Sequence, residues 1–138
     1  HRLAYAVAMR HYARAAAHAL ARNRAGFDRE IAALARIRTT ADFKPMIDQG
    51  VPADTLLALA ETVARGRWAY AAGDYRAAER LYREAAALEL KVPYMEPPYW
   101  YYPVDQSLGA ALLKQGKASA AAEAFTAALA RSPNNGWA

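Results

Sequence analysis

The sequence predicts an all-α protein in which three antiparallel helix pairs stack on one another. An internal repeat indicates the helix pairs, because one order of residues (glycine, alanine, aromatic residue, alanine) recurs with the same intervals. The two copies are Gly73, Ala78, Tyr82, Ala85 and Gly116, Ala121, Phe125, Ala128. Composition supports helices, since the chain contains 37 alanines, and alanine has the highest helix propensity.

The N-terminal region predicts the first helix pair. Residues 3–21 carry apolar side chains at helical spacing from Tyr5 to Leu20, which is typical of an amphipathic helix. A turn is expected at residues 22–24, and a second helix from about Gly26 to Arg36, with Phe27 on its apolar face.

Residues 39–52 interrupt the helical pattern with Thr, Pro and Gly residues, so we expect a long connection there. Its apolar residues, Phe43, Met46 and Ile47, should fold back onto the helices. A helix over 53–72 then follows, and Gly73 ends it with a tight reversal. Asp74 is placed to cap the N-terminus of the next helix, 75–90.

A segment rich in proline and aromatic residues separates the second and third pairs. Four prolines between Pro93 and Pro103 prevent regular helix, and five of the fifteen aromatic residues lie between Tyr94 and Tyr102. The last pair is predicted at 104–115 and 118–131, with a stop at Pro133.

The second copy of the repeat resembles the tetratricopeptide repeat. The residues at the family's spacing are Leu108, Gly109, Leu112, Gly116, Ala121, Phe125 and Ala128, and Pro133 closes the unit. The middle copy keeps Gly66, Gly73, Tyr75, Ala78, Tyr82 and Ala85, but has Thr62 for the family's Trp and Leu90 for its closing Pro.

This resemblance implies a right-handed solenoid with repeats at about 3–38, 53–91 and 102–135, within a single domain spanning residues 1–138. The first repeat is degenerate, because Ala15 stands in place of the family's glycine and bulky Phe27 in place of its small alanine. Gly73 and Gly116 are 43 residues apart, whereas the family's repeat has about 34 residues, so about nine residues are inserted between them.

The inserted segment from Glu96 to Val104 is similar to a segment in a group of bacterial tetratricopeptide repeat proteins whose function is unassigned. The similarity implies no activity. Because the chain begins within a helical pattern and reaches Trp137 where another helix would start, we expect a fragment of a longer protein. Its uncapped repeat ends, including Trp137, are expected to promote self-association.

No catalytic or cofactor motif appears, so we expect a protein that is not an enzyme and needs no metal or cofactor. The chain has no cysteine. His11 and His18 are seven residues apart, about 10 Å along a helix, too far to bind one ion together. Glu96 and Asp105 flank the aromatic segment and could act as an acid and a base only if they meet.

The resemblance implies a binding groove along the first helix of each pair. Carried over to this sequence, its positions are Tyr12, Ala16, Val63, Arg67, Tyr70, Gln106, Ala110 and Lys114. Tyr94 and Tyr99 are expected at its edge, since exposed aromatic residues are enriched in interfaces. We therefore predict a non-catalytic protein–protein interaction scaffold that binds a peptide or extended segment with some negative charge.

Two other functions stay open from sequence. Eight arginines and two acidic residues in 1–38, within a net charge of +5, would suit an RNA-binding helical repeat. The arginines do not recur in the later repeats, which disfavours nucleic acid. The aromatic segment could instead bind a small molecule for an associated enzyme, although Trp100 and Tyr102 are expected to pin the loop.

A membrane partner is not expected, because no run of 18 residues lacks charge. The expected compartment is the cytoplasm, with the periplasm as the alternative.

Overall fold

Within residues 2–136, which the computed structural model describes, the protein consists of seven helices packed against their neighbours, and no strand forms. This confirms the all-α prediction for that part of the chain. The helices are α1 (Arg2–Leu20), α2 (Arg24–Thr40), α3 (Lys44–Ile47), α4 (Ala53–Ala71), α5 (Tyr75–Glu89), α6 (Val104–Lys114) and α7 (Ala118–Arg131). Trp137 lies outside the described residues.

The same turn closes all three helix hairpins, α1–α2, α4–α5 and α6–α7. One residue of each turn has a left-handed backbone conformation: Arg22 (φ 52°), Gly73 (φ 83°) or Gly116 (φ 74°). In each case the next residue donates its N–H to the carbonyl five residues earlier, at 2.9–3.0 Å, which satisfies one free carbonyl at the end of the helix. The predicted reversals at Gly73 and Gly116 are therefore confirmed, and Arg22 adopts the same conformation without being glycine.

Side-chain caps follow two of these turns. The side-chain oxygen Oδ1 of Asn23 accepts a hydrogen bond from the backbone N–H of Gly26 at 2.9 Å. The Asp74 carboxylate accepts one from the backbone N–H of Ala77 at 2.9 Å. Both bonds satisfy N–H groups that the first turn of a helix leaves unpaired. The Asp74 cap predicted from sequence is confirmed.

Close helix approach in the second and third hairpins depends on glycine. A β-carbon on Gly66 would lie 2.7 Å from the Tyr82 ring, and one on Gly109 would lie 2.7 Å from the Phe125 ring. The repeated aromatic residue therefore packs directly against the backbone of the preceding helix. In the first hairpin the relation is reversed, because Gly26 of α2 lies against the His18 ring of α1.

Phe27 has a different role from the one its repeat position suggested. Its ring is buried and packs against Trp68 of α4, with ring centroids 4.9 Å apart. The Arg24 guanidinium lies 5.2 Å from the centre of the same Trp68 ring. The bulky residue thus fills the space between α2 and α4, while the close approach within its own hairpin moves to Gly26.

The connection at 41–52 folds back on the first two pairs as predicted, and it contains the short helix α3. Phe43 and Met46 are buried in a small core with Ala8, Ala53 and Leu57. Ile47, in contrast, is 43% exposed, so its predicted packing is only partial.

The main core continues through all three pairs. Among its fully buried side chains are Leu34, Leu59, Val63 and Leu112. Helix α4 packs against both α1 and α2, and α5 packs against α6. Within residues 2–136, no helix combines the length and apolar character needed to cross a bilayer.

Glu79 connects the last two hairpins electrostatically. Its carboxylate accepts hydrogen bonds from Lys117 Nζ at 2.7 Å, Gln115 Nε2 at 2.9 Å and Arg83 Nη2 at 2.9 Å. These hydrogen bonds stabilise the charged form of the carboxylate and lower the pKa of Glu79 to about 2, with the largest effects from Lys117 and Gln115. One carboxylate on α5 thus contacts both ends of the turn between α6 and α7, at Gln115 and Lys117.

We expect Gly66→Ala to destabilise the fold by ~1–3 kcal/mol, because the new methyl group would overlap the buried Tyr82 ring. Gly109→Ala should cost less, since Phe125 is only partly buried and can shift. Gly136→Ala is the matched control, because nothing lies within 4 Å of its β-carbon position. Urea denaturation compares the three free energies of unfolding, and equal values would contradict the proposed packing.

We expect the stability that Glu79 contributes to depend on pH. Its folded pKa lies below the usual value of 4.5, so the contribution is complete above about pH 5 and is lost as the pH falls towards 2. The difference in unfolding free energy between the wild type and Glu79→Gln should shrink over that range. Glu84→Gln, an exposed change on the same helix, is the control. A difference that stays constant from pH 7 to pH 2 would show that the charge of Glu79 has no role.

Candidate binding surface beside the aromatic segment

The aromatic segment, residues 92–103, reaches back to the first and second helix pairs. The Trp100 ring packs against Tyr12 of α1, with centroids 5.5 Å apart. The Tyr101 hydroxyl lies 2.6 Å from the Tyr12 hydroxyl and accepts a hydrogen bond from Arg67 Nη2 of α4 at 2.9 Å. Tyr101 therefore links side chains of α1 and α4 to the chain that leads into α6.

Trp100 and Tyr102 anchor the segment, as the sequence predicted. Trp100 is 6% exposed, and its ring also contacts Tyr101 and Tyr102. The Tyr102 hydroxyl lies 3.0 Å from Ser107 Oγ on α6, and the Arg67 guanidinium lies 5.7 Å from the centre of the Tyr102 ring. These contacts bury the Trp100 ring and part of the Tyr102 ring, and so attach the proline-rich segment to the helices.

Tyr12 and Tyr102 are neutral hydrogen-bonding groups. Burial raises the pKa of Tyr12 and of Tyr102 above the usual value of 10, despite the opposing effect of Arg67. A phenol that keeps its proton can donate and accept hydrogen bonds, but it cannot act as a base near neutral pH.

An open pocket of about 670 Å³ lies beside this cluster, and we call it the Arg67 pocket. Its lining comprises Arg67, Tyr101, Tyr102, Pro103, Gln106, Ser107, Ser132, Pro133, Asn134 and Asn135. Arg67 is the only charged residue in that lining, and the other polar members are hydroxyl and amide groups. Such a surface can bind an anionic group through one guanidinium and several hydrogen bonds.

The Arg67 pocket brings together elements that are distant in sequence. Arg67 comes from the last half of α4, Gln106 and Ser107 come from the first turn of α6, and Asn135 follows α7. The Asn135 side-chain N–H donates to Gln106 Oε1 at 3.0 Å, which holds the C-terminal turn against α6. The pocket is therefore formed by the second and third helix pairs together.

Some of the predicted groove residues line the Arg67 pocket, and others are buried beneath it or lie elsewhere. Arg67 and Gln106 line the Arg67 pocket together. Tyr12 is 5% exposed, because Trp100 and Tyr101 cover it, so it supports the surface from beneath.

Of the other groove positions, Tyr70 and Lys114 do not line the Arg67 pocket, and Val63 is fully buried in the core. The Tyr70 ring packs edge-on against Tyr75, with centroids 5.3 Å apart. Lys114 is exposed at the end of α6. Packing within the α4–α5 hairpin holds the Tyr70 ring. Lys114 lies at the opposite end of α6 from Gln106, which is in the first turn.

Tyr94 and Tyr99 line a second pocket of about 450 Å³ on the other side of the segment. Tyr94 is 85% exposed, and its hydroxyl donates to the Glu96 carboxylate. The Tyr99 hydroxyl donates to the Gly50 carbonyl at 3.2 Å, which attaches the segment to the loop before α4. Both predicted rim residues thus line a concave surface, but they do not line the Arg67 pocket.

The candidates for acid–base or metal chemistry have structural contacts instead. His11 Nδ1 lies 2.6 Å from the Glu30 carboxylate, which also accepts from Arg14 Nε at 2.7 Å. Glu96 contacts Tyr94, while Asp105 lies in the first turn of α6 near Arg131. Residues 2–136 contain no group of three or more His, Asp or Glu side chains placed to hold a metal ion.

Tyr101 and Ser107 were not among the residues predicted to bind a partner. Tyr101 is 61% exposed and lines both pockets, although its hydroxyl contacts Tyr12 and Arg67. Its position in a run of aromatic residues was the only available signal. The sequence gives no such signal for Ser107, because it lines the pocket beside Tyr102, which lies in a different element.

Comparison with known proteins gave no match among family models, curated proteins or solved structures.

We expect Tyr101→Phe to destabilise the protein by ~1–3 kcal/mol, because the buried Tyr12 hydroxyl would lose its partner. Tyr94→Phe is the matched control, since it removes a hydroxyl from an exposed residue and should change stability by less than about 0.5 kcal/mol. Thermal or urea denaturation of the two variants makes the comparison. Equal stability of Tyr101→Phe and the wild type would contradict a structural role for this hydroxyl.

Proposed function

We propose that the chain is a non-catalytic, tetratricopeptide-like repeat module that binds a peptide or extended segment of a protein partner. The solenoid arrangement is supported by the shared hairpin turn at Arg22, Gly73 and Gly116, and by the repeated approach of an aromatic ring to Gly66 and Gly109. The observation that carries the binding proposal is the Arg67 pocket, where two groove positions, Arg67 and Gln106, meet on one open surface.

The chemistry of the Arg67 pocket favours an acidic residue of the partner as the anchor. Arg67 bonds to a tyrosine hydroxyl and lies near aromatic rings, and no carboxylate among the described residues pairs with it. A partner carboxylate would therefore not have to displace an existing ion pair. The aromatic rings of Tyr101 and Tyr102 supply apolar surface next to the charge, as in many interface anchors.

The contacts of the N-terminal arginines weaken the alternative of RNA binding. Arg14 pairs with Glu30 at 2.7 Å, Arg24 with Asp28 at 2.7 Å and Arg38 with Glu61 at 3.0 Å. Arginines that neutralise carboxylates of their own chain attract phosphates less strongly. Protein or peptide is thus the better partner class for the exposed surface.

Self-association through the repeat ends remains part of the proposal. Leu3 and Leu20 of α1 and Leu113 and Leu129 of the last hairpin are exposed, from 37% to 86%. Apolar residues at the ends of a repeat stack are the expected contacts between copies or with further repeats.

The binding proposal is tested by selecting ligands from a phage-displayed library of random peptides and measuring their affinity by calorimetry. We expect selected peptides to contain an acidic residue, and Arg67→Ala to reduce their binding free energy by ~1–3 kcal/mol. Gln106→Ala should weaken binding less, because it removes a neutral hydrogen-bonding group. The loss caused by Arg67→Ala should be larger at low salt than at high salt, since exposed charges are screened.

Arg80→Ala is the matched control, because Arg80 is an exposed arginine on α5 that does not line the Arg67 pocket. Melting curves confirm that each variant is folded. If Arg80→Ala weakens the selected peptides as much as Arg67→Ala does, or if no peptide is selected, the proposed binding surface is wrong.

A further inference from the structure

The second pocket lies between the end of α5 and the aromatic segment, and we call it the Glu96 pocket. Aromatic rings from Tyr94, Tyr99 and Trp100 form much of its lining, together with prolines of the same segment. Tyr101 and Tyr102 also line the Arg67 pocket, so the two pockets share a wall. A single extended ligand can therefore occupy both.

The lining of the Glu96 pocket has a net negative charge, whereas that of the Arg67 pocket is positive. Its lining contains two carboxylates, Glu89 and Glu96, and one guanidinium, that of Arg131. The Glu89 carboxylate is already engaged, because it accepts from the Val104 N–H at 2.9 Å and lies 3.8 Å from Arg131 Nη1. These contacts leave the negative charge of Glu96 to be balanced by a ligand.

Glu96 lies in the exposed part of the pocket. Its carboxylate accepts from the Tyr94 hydroxyl, and no Lys or Arg among the described residues forms an ion pair with it. A carboxylate beside exposed tyrosine rings attracts a cation in two ways, through direct charge attraction and through the negative faces of the rings. The combination favours a guanidinium or alkylammonium group over a neutral or anionic ligand.

Trp100 adds a hydrogen-bond donor to the same region. Its Nε1 is buried and has no acceptor among the described residues. Leaving a buried donor unpaired is unfavourable, so a ligand carbonyl that reached this N–H would gain a hydrogen bond. A basic residue within a peptide carries both groups, the cation on its side chain and the carbonyl on its main chain.

We propose that the Glu96 pocket binds a basic side chain, arginine or lysine, of the same peptide whose acidic residue binds at Arg67. This inference rests on the proposed function and adds the chemistry of the partner, which pairs an acidic residue with a basic one a short distance along the chain. The shared wall of Tyr101 and Tyr102 sets that separation.

The test uses two small probes, N-acetyl-L-arginine methylamide and its citrulline analogue, which has the same shape but no charge. Each is titrated into ¹⁵N-labelled protein, and the indole N–H signal of Trp100, assigned with Trp100→Phe, is followed by NMR. We expect the arginine probe to produce a saturating shift of this signal. The citrulline probe should bind more weakly by at least a fewfold, because it lacks the positive charge.

Two variants locate the effect. Glu96→Gln should raise the Kd of the arginine probe about twofold to fivefold, in line with the strength of an exposed ion pair. Glu84→Gln removes an equivalent exposed carboxylate from α5, outside the pocket, and should leave the Kd unchanged. Tyr94→Ala should also raise the Kd about twofold to fivefold by removing an aromatic face.

An equal response to the two probes, or no saturating shift with the arginine probe, would overturn the proposal. So would equal effects of Glu96→Gln and Glu84→Gln. These results are independent of the peptide selection, which tests Arg67 alone. If selected peptides bind through Arg67 while the arginine probe does not bind, the proposed function stands and the Glu96 pocket does not.

Discussion

The hydrogen-bonded junction of Tyr12, Tyr101 and Arg67 is the contact on which the arrangement of the binding surface depends. It joins α1, α4 and the segment that leads into α6, so the first two helix pairs and the connection to the third meet in one cluster. Tyr12 is 5% exposed, and both Trp100 and Tyr101 contact it. The junction therefore determines both the position of the aromatic segment and the shape of the pockets beside it.

This arrangement changes what a helical-repeat groove can offer a partner. The chain places its own aromatic segment across α1 and α4, where an open groove was expected. An extended ligand then meets two pockets of opposite electrostatic character, one around Arg67 and one around Glu96. In the binding mode proposed above, charge order along the partner, rather than apolar area alone, would be the basis of recognition, and such complementarity contributes mainly to specificity.

The sequence predicted the features that depend on neighbouring residues. Gly73 and Gly116 require the left-handed conformation, Asp74 caps the helix that it precedes, and prolines end regular helix near Pro93. Each of these effects acts within about one helical turn, so a pattern in the sequence is sufficient. The bounds of α2 were predicted less well, since it extends to Thr40 beyond the predicted end at Arg36, and the short helix α3 was not predicted.

Contacts between distant residues could not be predicted in the same way. Tyr12 and Tyr101 are 89 residues apart, and no periodicity relates a helix position to a residue in a proline-rich segment. Phe27 shows the same limit, because the repeat pattern assigns it to its own hairpin, whereas its ring packs against Trp68.

The most direct test of the junction is a double-mutant cycle with Tyr12→Phe and Tyr101→Phe, in which the free energy of unfolding of each variant is measured. If the junction organises the surface, the two changes should show a coupling energy of about 0.5–3 kcal/mol, whereas additive effects within about 0.3 kcal/mol would contradict it.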